Sequence, residues 1–190
     1  MVRKATLISN PKTGRYGTRR LRPIQDVAAQ LQSLGVDVEI KLTTAPGEAT
    51  EIAARAARNG SSDVIVAGGD GTINEAIQGL AGSTARLAII PRGTGNVLAR
   101  ELKLPLNDVQ ATIVAARGNA RRIHLGLAID ETTNAKRFFV LMAGIGLDAS
   151  VVRRVRPRLK KRIGKAAFWI SGLSHLADWQ PAPFTLEIEG

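Results

Sequence analysis

Residues 63–76 read DVIVAGGDGTINEA. Val64 to Ala67 is a run of apolar side chains, the composition of a buried strand. Gly68, Gly69, Asp70, Gly71 and Thr72 follow as a loop, and Thr72 to Leu80 then has the pattern of a helix. In an open α/β sheet the carboxyl end of a strand is where ligands bind. Glycines permit positive φ and let amide N–H groups gather around phosphate oxygens. The helix N-terminus adds partial positive charge. Asp70 is placed to hold Mg²⁺ through a metal-bound water, or to order the glycine turn. The competing structural reading is a tight strand–helix turn with Asp70 as its cap.

The neighbouring sequence repeats the pattern. Ala5-Thr6-Leu7-Ile8 is a short apolar strand that ends in the loop Asn10-Pro11. Leu21, Ile24, Val27, Ala28, Leu31 and Leu34 recur at helical spacing, with Pro23 expected in the first turn and Gly35 at the stop. Val36, Val38, Ile40 and Leu42 alternate as a strand does. EATEIAARAAR, residues 48–58, is a helix closed by Gly60. Residues 87–90 are another buried strand, and helices are expected over 96–102 and 108–117. Strands alternating with helices imply right-handed crossovers and a doubly wound, mainly parallel α/β domain over residues 1–120.

The pattern changes after residue 120. Residues 120–130 and 137–143 are expected as a hairpin joined by a polar turn at 131–136. A basic stretch, a helix from Gly164 to Trp179 and an alternating strand over 184–189 follow. Residues 121–190 are therefore expected to be the start of a β-rich second domain. So small a unit buries little core alone, and the chain is expected to be a piece of a longer one.

Composition narrows the chemistry. The chain has no cysteine, which excludes disulfides, thiolate metal sites and a cysteine nucleophile. His124 and His175 lack any ligand spacing and read as structural. No apolar run is long enough to span a membrane. Residues 1–25 hold seven basic side chains and residues 149–177 hold eight, neither with an acid; against a net charge of +11, the rest of the chain is net −4. Such local excess suits an anionic partner. Seven aromatics give few stacking platforms, so nucleic acid is not the expected one. The loops favour a nucleotide instead. Pro91-Arg92-Gly93-Thr94-Gly95-Asn96 repeats the glycine-rich strand end, and Lys12, Arg15, Arg19 and Arg20 lie near Asn10. The pattern of a Walker A loop is absent.

Three motifs in order, NPKTG at 10–14, GGDGTINEA at 68–76 and PRGTGNVLAR at 91–100, resemble the diacylglycerol kinase catalytic domain family. AGIGLDA at 143–149 resembles the glycine-rich motif early in that family's second domain. The resemblance implies an NAD kinase/diacylglycerol kinase-like fold with ATP bound between an α/β and a β-rich domain. The implied nucleotide contacts are Asn10, Thr43, Gly68, Gly69, Asp70, Gly71, Thr72, Glu75 and Thr94, with Asp70 also meeting Mg²⁺. Thr43 enters through Thr43-Thr44-Ala45-Pro46-Gly47-Glu48-Ala49, which is similar to the family's T-x-x-x-G-[DE]-A stretch. Two departures stand out. Val97 replaces an aspartate common in the third motif. The family's general base comes late in the second domain and has no match before Gly190, leaving Asp148 as the best available stand-in.

The expected activity is transfer of the γ-phosphoryl group of ATP to a lipid hydroxyl, by a cytoplasmic protein held peripherally at the anionic inner membrane surface. The alternatives are an NAD kinase-like enzyme, which shares GGDG, and a catalytically silent nucleotide-binding regulator.

Overall fold

The computed structural model describes residues 3–11, 15–16, 19–146, 149 and 185–188. The chain divides into two compact units, Met1–Leu141 and Met142–Gly190. The first contains β1 (Arg3–Ser9), β2 (Arg15–Tyr16), β3 (Arg19–Arg20), α1 (Ile24–Ser33), β4 (Val36–Leu42), α2 (Glu48–Arg58) and β5 (Asp63–Gly68). It continues through α3 (Asp70–Leu80), β6 (Arg86–Pro91), α4 (Val97–Glu101), α5 (Asp108–Arg117), β7 (Gly126–Asp130) and β8 (Ala135–Phe139).

Four strands form one parallel sheet in the order β4-β1-β5-β6. Strand side chains alternate between faces, and the alternation divides the core in two. Leu7, Ile65 and Ile90 join Val27 and Leu31 of α1 and Ala111 and Ala115 of α5. Ile8, Val66 and Ile89 join Ala53 of α2 and Ile73 and Ile77 of α3. Both faces are thus covered by helices, which is why β5 is buried at every residue. The outer strand β4 keeps Val36 and Val38 inside and turns Asp37, Glu39 and Lys41 to solvent; charges of this kind protect an edge strand from foreign pairing. Helices α2 and α3 pack closely because Gly79 leaves room: a Cβ there would lie 2.2 Å from the Thr50 carbonyl oxygen.

Several boundaries differ from the sequence expectation. Pro23 precedes α1 as its cap, with φ −52° and ψ 145°, instead of lying in its first turn. Helix α3 begins at Asp70, two residues early, so Gly71 is a helical residue. The hairpin pairs only Gly126–Asp130 with Ala135–Phe139. Residues 120–125 and 140–143 extend past the reach of either strand and stay irregular. The turn is set by Asp130, whose Oδ1 accepts from the amides of Thr132 and Thr133 at 2.9 and 3.2 Å.

Of the strand expected over 184–189, residues 185–188 carry no strand. Leu186 and Ile188 are 58% and 83% exposed. The helix expected over 164–179, the basic run 153–162, Lys12 to Gly14 and Asp148 lie outside the described residues.

Candidate active site

The strand register brings the motifs to one edge. Ser9 stands opposite both Leu42 and Ala67, and Gly68 opposite Pro91. Asn10, Thr43, Gly68 and Pro91 therefore end their strands at the same level. The Thr43 amide donates to the Ser9 carbonyl at 3.0 Å, and the Arg92 amide to the Gly68 carbonyl at 2.8 Å. After β1 the chain turns to α1 on one face, and after β5 to α3 on the other. A crevice opens where adjacent strands send their connections to opposite faces. Here that point lies between Asn10 and Gly68.

The two glycine-rich segments touch backbone to backbone. A Cβ on Gly93 would lie 2.5 Å from the Gly69 Cα and 2.9 Å from Asn96 Oδ1. A Cβ on Gly68 would lie 2.9 Å from that of Thr72. None of Gly68, Gly69, Gly71, Gly93 or Gly95 has positive φ. The expectation that these glycines supply left-handed backbone is corrected: at 68, 69 and 93 they supply close approach. The left-handed residue is Asn96, at φ 49°. Its side chain accepts from the Gly93 amide at 2.8 Å and donates to the Gly93 carbonyl at 2.9 Å, which closes the turn on itself.

Gly71 is different. It lies in the first turn of α3, is exposed, and a Cβ built there meets none of the described residues within 4 Å. Packing gives no reason for glycine at this position. The N-cap, Gly69, offers no side-chain acceptor to the first-turn amides. By contrast, α5 is capped by Asn107, whose side chain accepts from Val109 and Gln110.

Asp70 joins the two segments. Its Oδ1 accepts from the Leu98 amide at 3.4 Å, and its Oδ2 lies where a Cβ on Gly95 would come within 3.0 Å. It is half-buried, as are Thr94 and Glu75. Thr72 is buried beneath the loop. Glu75 sits further along α3, where its carbonyl accepts from Thr50 Oγ1 at 2.8 Å. No cluster of three metal-ligating side chains occurs among the described residues.

Sequence reasoning missed two supports. Arg92 is 7% exposed, and its Nη2 donates to Asp108 Oδ2 at 2.7 Å, tying the second segment to α5. The second is Asn96, the staple of its own turn, which the sequence shows only as the last residue of the glycine-rich stretch. A basic residue between an apolar strand and two glycines was the available signal for the first.

The diacylglycerol kinase catalytic domain model matches residues 4–128. A diacylglycerol kinase of Bacillus subtilis (strain 168) is 32% identical over 192 residues, covering all of this chain and 61% of the relative. One from Mycobacterium tuberculosis (strain CDC 1551 / Oshkosh) is 33% identical over 190 residues, covering 60% of its length. The chain thus spans about 60% of the length of these curated relatives. A crystal structure of a diacylglycerol kinase from Bacillus anthracis str. Sterne is 32% identical with a TM-score of 0.51, over 60% of this chain and 42% of that one.

Proposed function

The chain belongs to the diacylglycerol kinase catalytic domain family, and from that premise we propose that it binds MgATP at the carboxyl edge of its sheet and serves transfer of the γ-phosphoryl group to a lipid hydroxyl. Gly71 is the observation that carries the reading. A glycine in a helix costs about 0.5–1 kcal/mol relative to alanine, and at position 71 neither φ nor packing requires it. A ligand that must come close to the backbone supplies the missing reason.

Bound ATP brings the phosphoryl group, and Mg²⁺ its charge neutralisation. The residues fit both. The first-turn amides of α3 orient phosphate oxygens, helped by the positive end of the helix. The second segment, closed by Asn96, holds the Thr94 hydroxyl and the Gly95 backbone in a fixed turn. Asn10 and Thr43 line the adjoining part of the edge. Mg²⁺ is commonly held by one or two carboxylates together with phosphates, and Asp70 is the only carboxylate in the two segments. Catalysis here is positioning and charge stabilisation. The acceptor is a lipid with a free hydroxyl, met at an anionic cytoplasmic membrane face. None of the described helices is long and apolar enough to cross that membrane.

Gly71→Val tests the reading, because its side chain enters open space and leaves the fold intact. Calorimetry should show MgATP binding lost while circular dichroism and the thermal transition persist. A folded variant with unchanged affinity for ATP would overturn the proposal.

A further inference from the structure

One cavity adjoins the second glycine-rich segment on the side of α5, and Gly93 and Asn96 of that segment belong to its lining. A pocket of about 320 Å³ lies between the segment after β6 and the start of α5, and no residue of Gly68–Thr72 lines it. Its charged lining is Arg22, Arg92 and Arg100 against Asp108 alone. The guanidinium groups are held in place. Arg22 donates to Gln30 Oε1 at 2.7 Å, and Arg100 Nε to the Gly95 carbonyl at 3.1 Å. Arg92 is 93% buried by its 7% exposure, and its Nη2 meets Asp108 at 2.7 Å. The Arg92 Nε is buried and has no acceptor among the described residues.

Buried donors ordinarily have partners, and a guanidinium has five N–H groups to satisfy. Arg92 Nη2 also donates to the Arg22 carbonyl, and Arg22 Nη2 to the Asp26 carbonyl at 3.2 Å, but these acceptors carry no charge; one carboxylate beside three arginines leaves the pocket lining with two positive charges. Fixed arginine forks match the oxygens of a phosphate. Leu106 and Val109, which are 39% and 40% exposed, add apolar side chains to the lining. That suits a short uncharged stem behind the anionic head. The volume is at the small end of ligand pockets, which run from about 300 Å³ upward.

We infer that this pocket is a second anion site that takes a phosphate monoester, carried either by a small soluble molecule or by a lipid headgroup. The inference does not rest on ATP binding at the glycine segments, and the two are separable by experiment. The full chain, ¹⁵N-labelled, is titrated with glycerol 3-phosphate, and in parallel with vesicles of phosphatidylcholine alone or with phosphatidate. Amides of Arg22 and Asn107–Val109 should shift, and those of Gly68–Thr72 should not. Arg22→Gln and Arg100→Gln should each weaken binding about five-fold or more, the loss of one charge-assisted contact. Val109→Trp should fill part of the pocket without altering any charge, and thermal melts check that the three variants fold. A response to glycerol 3-phosphate assigns a soluble ligand. A response to phosphatidate vesicles alone, lost in the pocket variants, assigns a headgroup. Binding of neither probe, binding indifferent to all three variants, or shifts confined to Gly68–Thr72 would each overturn the inference. Persistence of the pocket response in Gly71→Val would separate this site from the nucleotide edge.

Discussion

Gly71 and Gly93 are both in glycine-rich segments, yet a methyl group would do opposite things to them. At Gly71 an added Cβ finds none of the described residues within 4 Å on helical backbone. Gly71→Ala should therefore stabilise the protein by about 0.5–1 kcal/mol, through helix propensity and a less disordered unfolded chain. It should also weaken ATP binding, since the methyl group occupies the approach to the amides. At Gly93 the same group would sit 2.5 Å from the Gly69 Cα, which is backbone and cannot swing aside. Gly93→Ala should cost about 1–3 kcal/mol, the usual range for overpacking. Urea melts of both variants give the two signs, and calorimetry gives the affinity. A destabilised Gly71→Ala, or one that binds ATP as before, would mean that this glycine does not serve a ligand. Sequence composition treats the two glycines alike. Only the facing segment, 24 residues further on, tells them apart.

At the scale of elements, the amino edge of the sheet is fastened by Asp63. This carboxylate is fully buried at the start of β5. It accepts from Arg3 Nη2 at 2.7 Å, Arg86 Nη2 at 2.9 Å and Ser62 Oγ at 3.0 Å, while Arg3 also reaches the carbonyls of Ala115 and Ala116 at the end of α5. Burial alone would raise the Asp63 pKa, but the hydrogen bonds from Arg3, Arg86 and Ser62 outweigh it and hold the group below the ordinary carboxylate value. A depressed folded pKa contributes stability above the unfolded value, near 3.9, and that stability is lost as pH falls through the folded pKa. Asp63→Asn should destabilise the protein at pH 7, by less than the about 3–5 kcal/mol of a fully buried pair because Arg86 is half exposed. The variant should also lose less stability than the parent between pH 5 and pH 2. Parallel pH profiles for the two would contradict this account. The elements themselves were largely legible, because their signals are local. Period-two alternation marks Val36–Leu42, and the helix at 48–58 has the expected ends. What was not legible depends on partners distant in the chain. The hairpin is joined to α3 through Gln78, whose side chain donates to the Phe138 carbonyl at 2.8 Å and accepts from its amide at 2.9 Å. Nothing in the local pattern sets this glutamine apart from a surface one. The shorter strands 126–130 and 135–139 likewise reflect where pairing stops, not where apolar residues do.

At the scale of the whole molecule, charge is distributed rather than uniform. The net +11 arises from two basic regions, and the remainder is net −4. An anionic surface is therefore expected to attract this chain locally. Residues 153–162, RRVRPRLKKR, concentrate seven basic side chains in ten positions. Near an anionic leaflet each contributes about 1 kcal/mol at most, and salt near 0.1 M reduces this beyond roughly 10 Å. Sedimentation with vesicles should show stronger binding to phosphatidylserine-containing membranes than to neutral ones, declining as salt rises. Reversing Arg158, Lys160 and Lys161 to Glu should abolish most of that preference. The control reverses three exposed arginines on the helices of the first unit, Arg55, Arg58 and Arg117, which changes the net charge equally. If docking is local, this second variant keeps its binding, because its altered charges lie outside the basic run. If net charge alone governs association, both variants lose binding to the same degree, and the assignment of 153–162 as the membrane-facing segment fails.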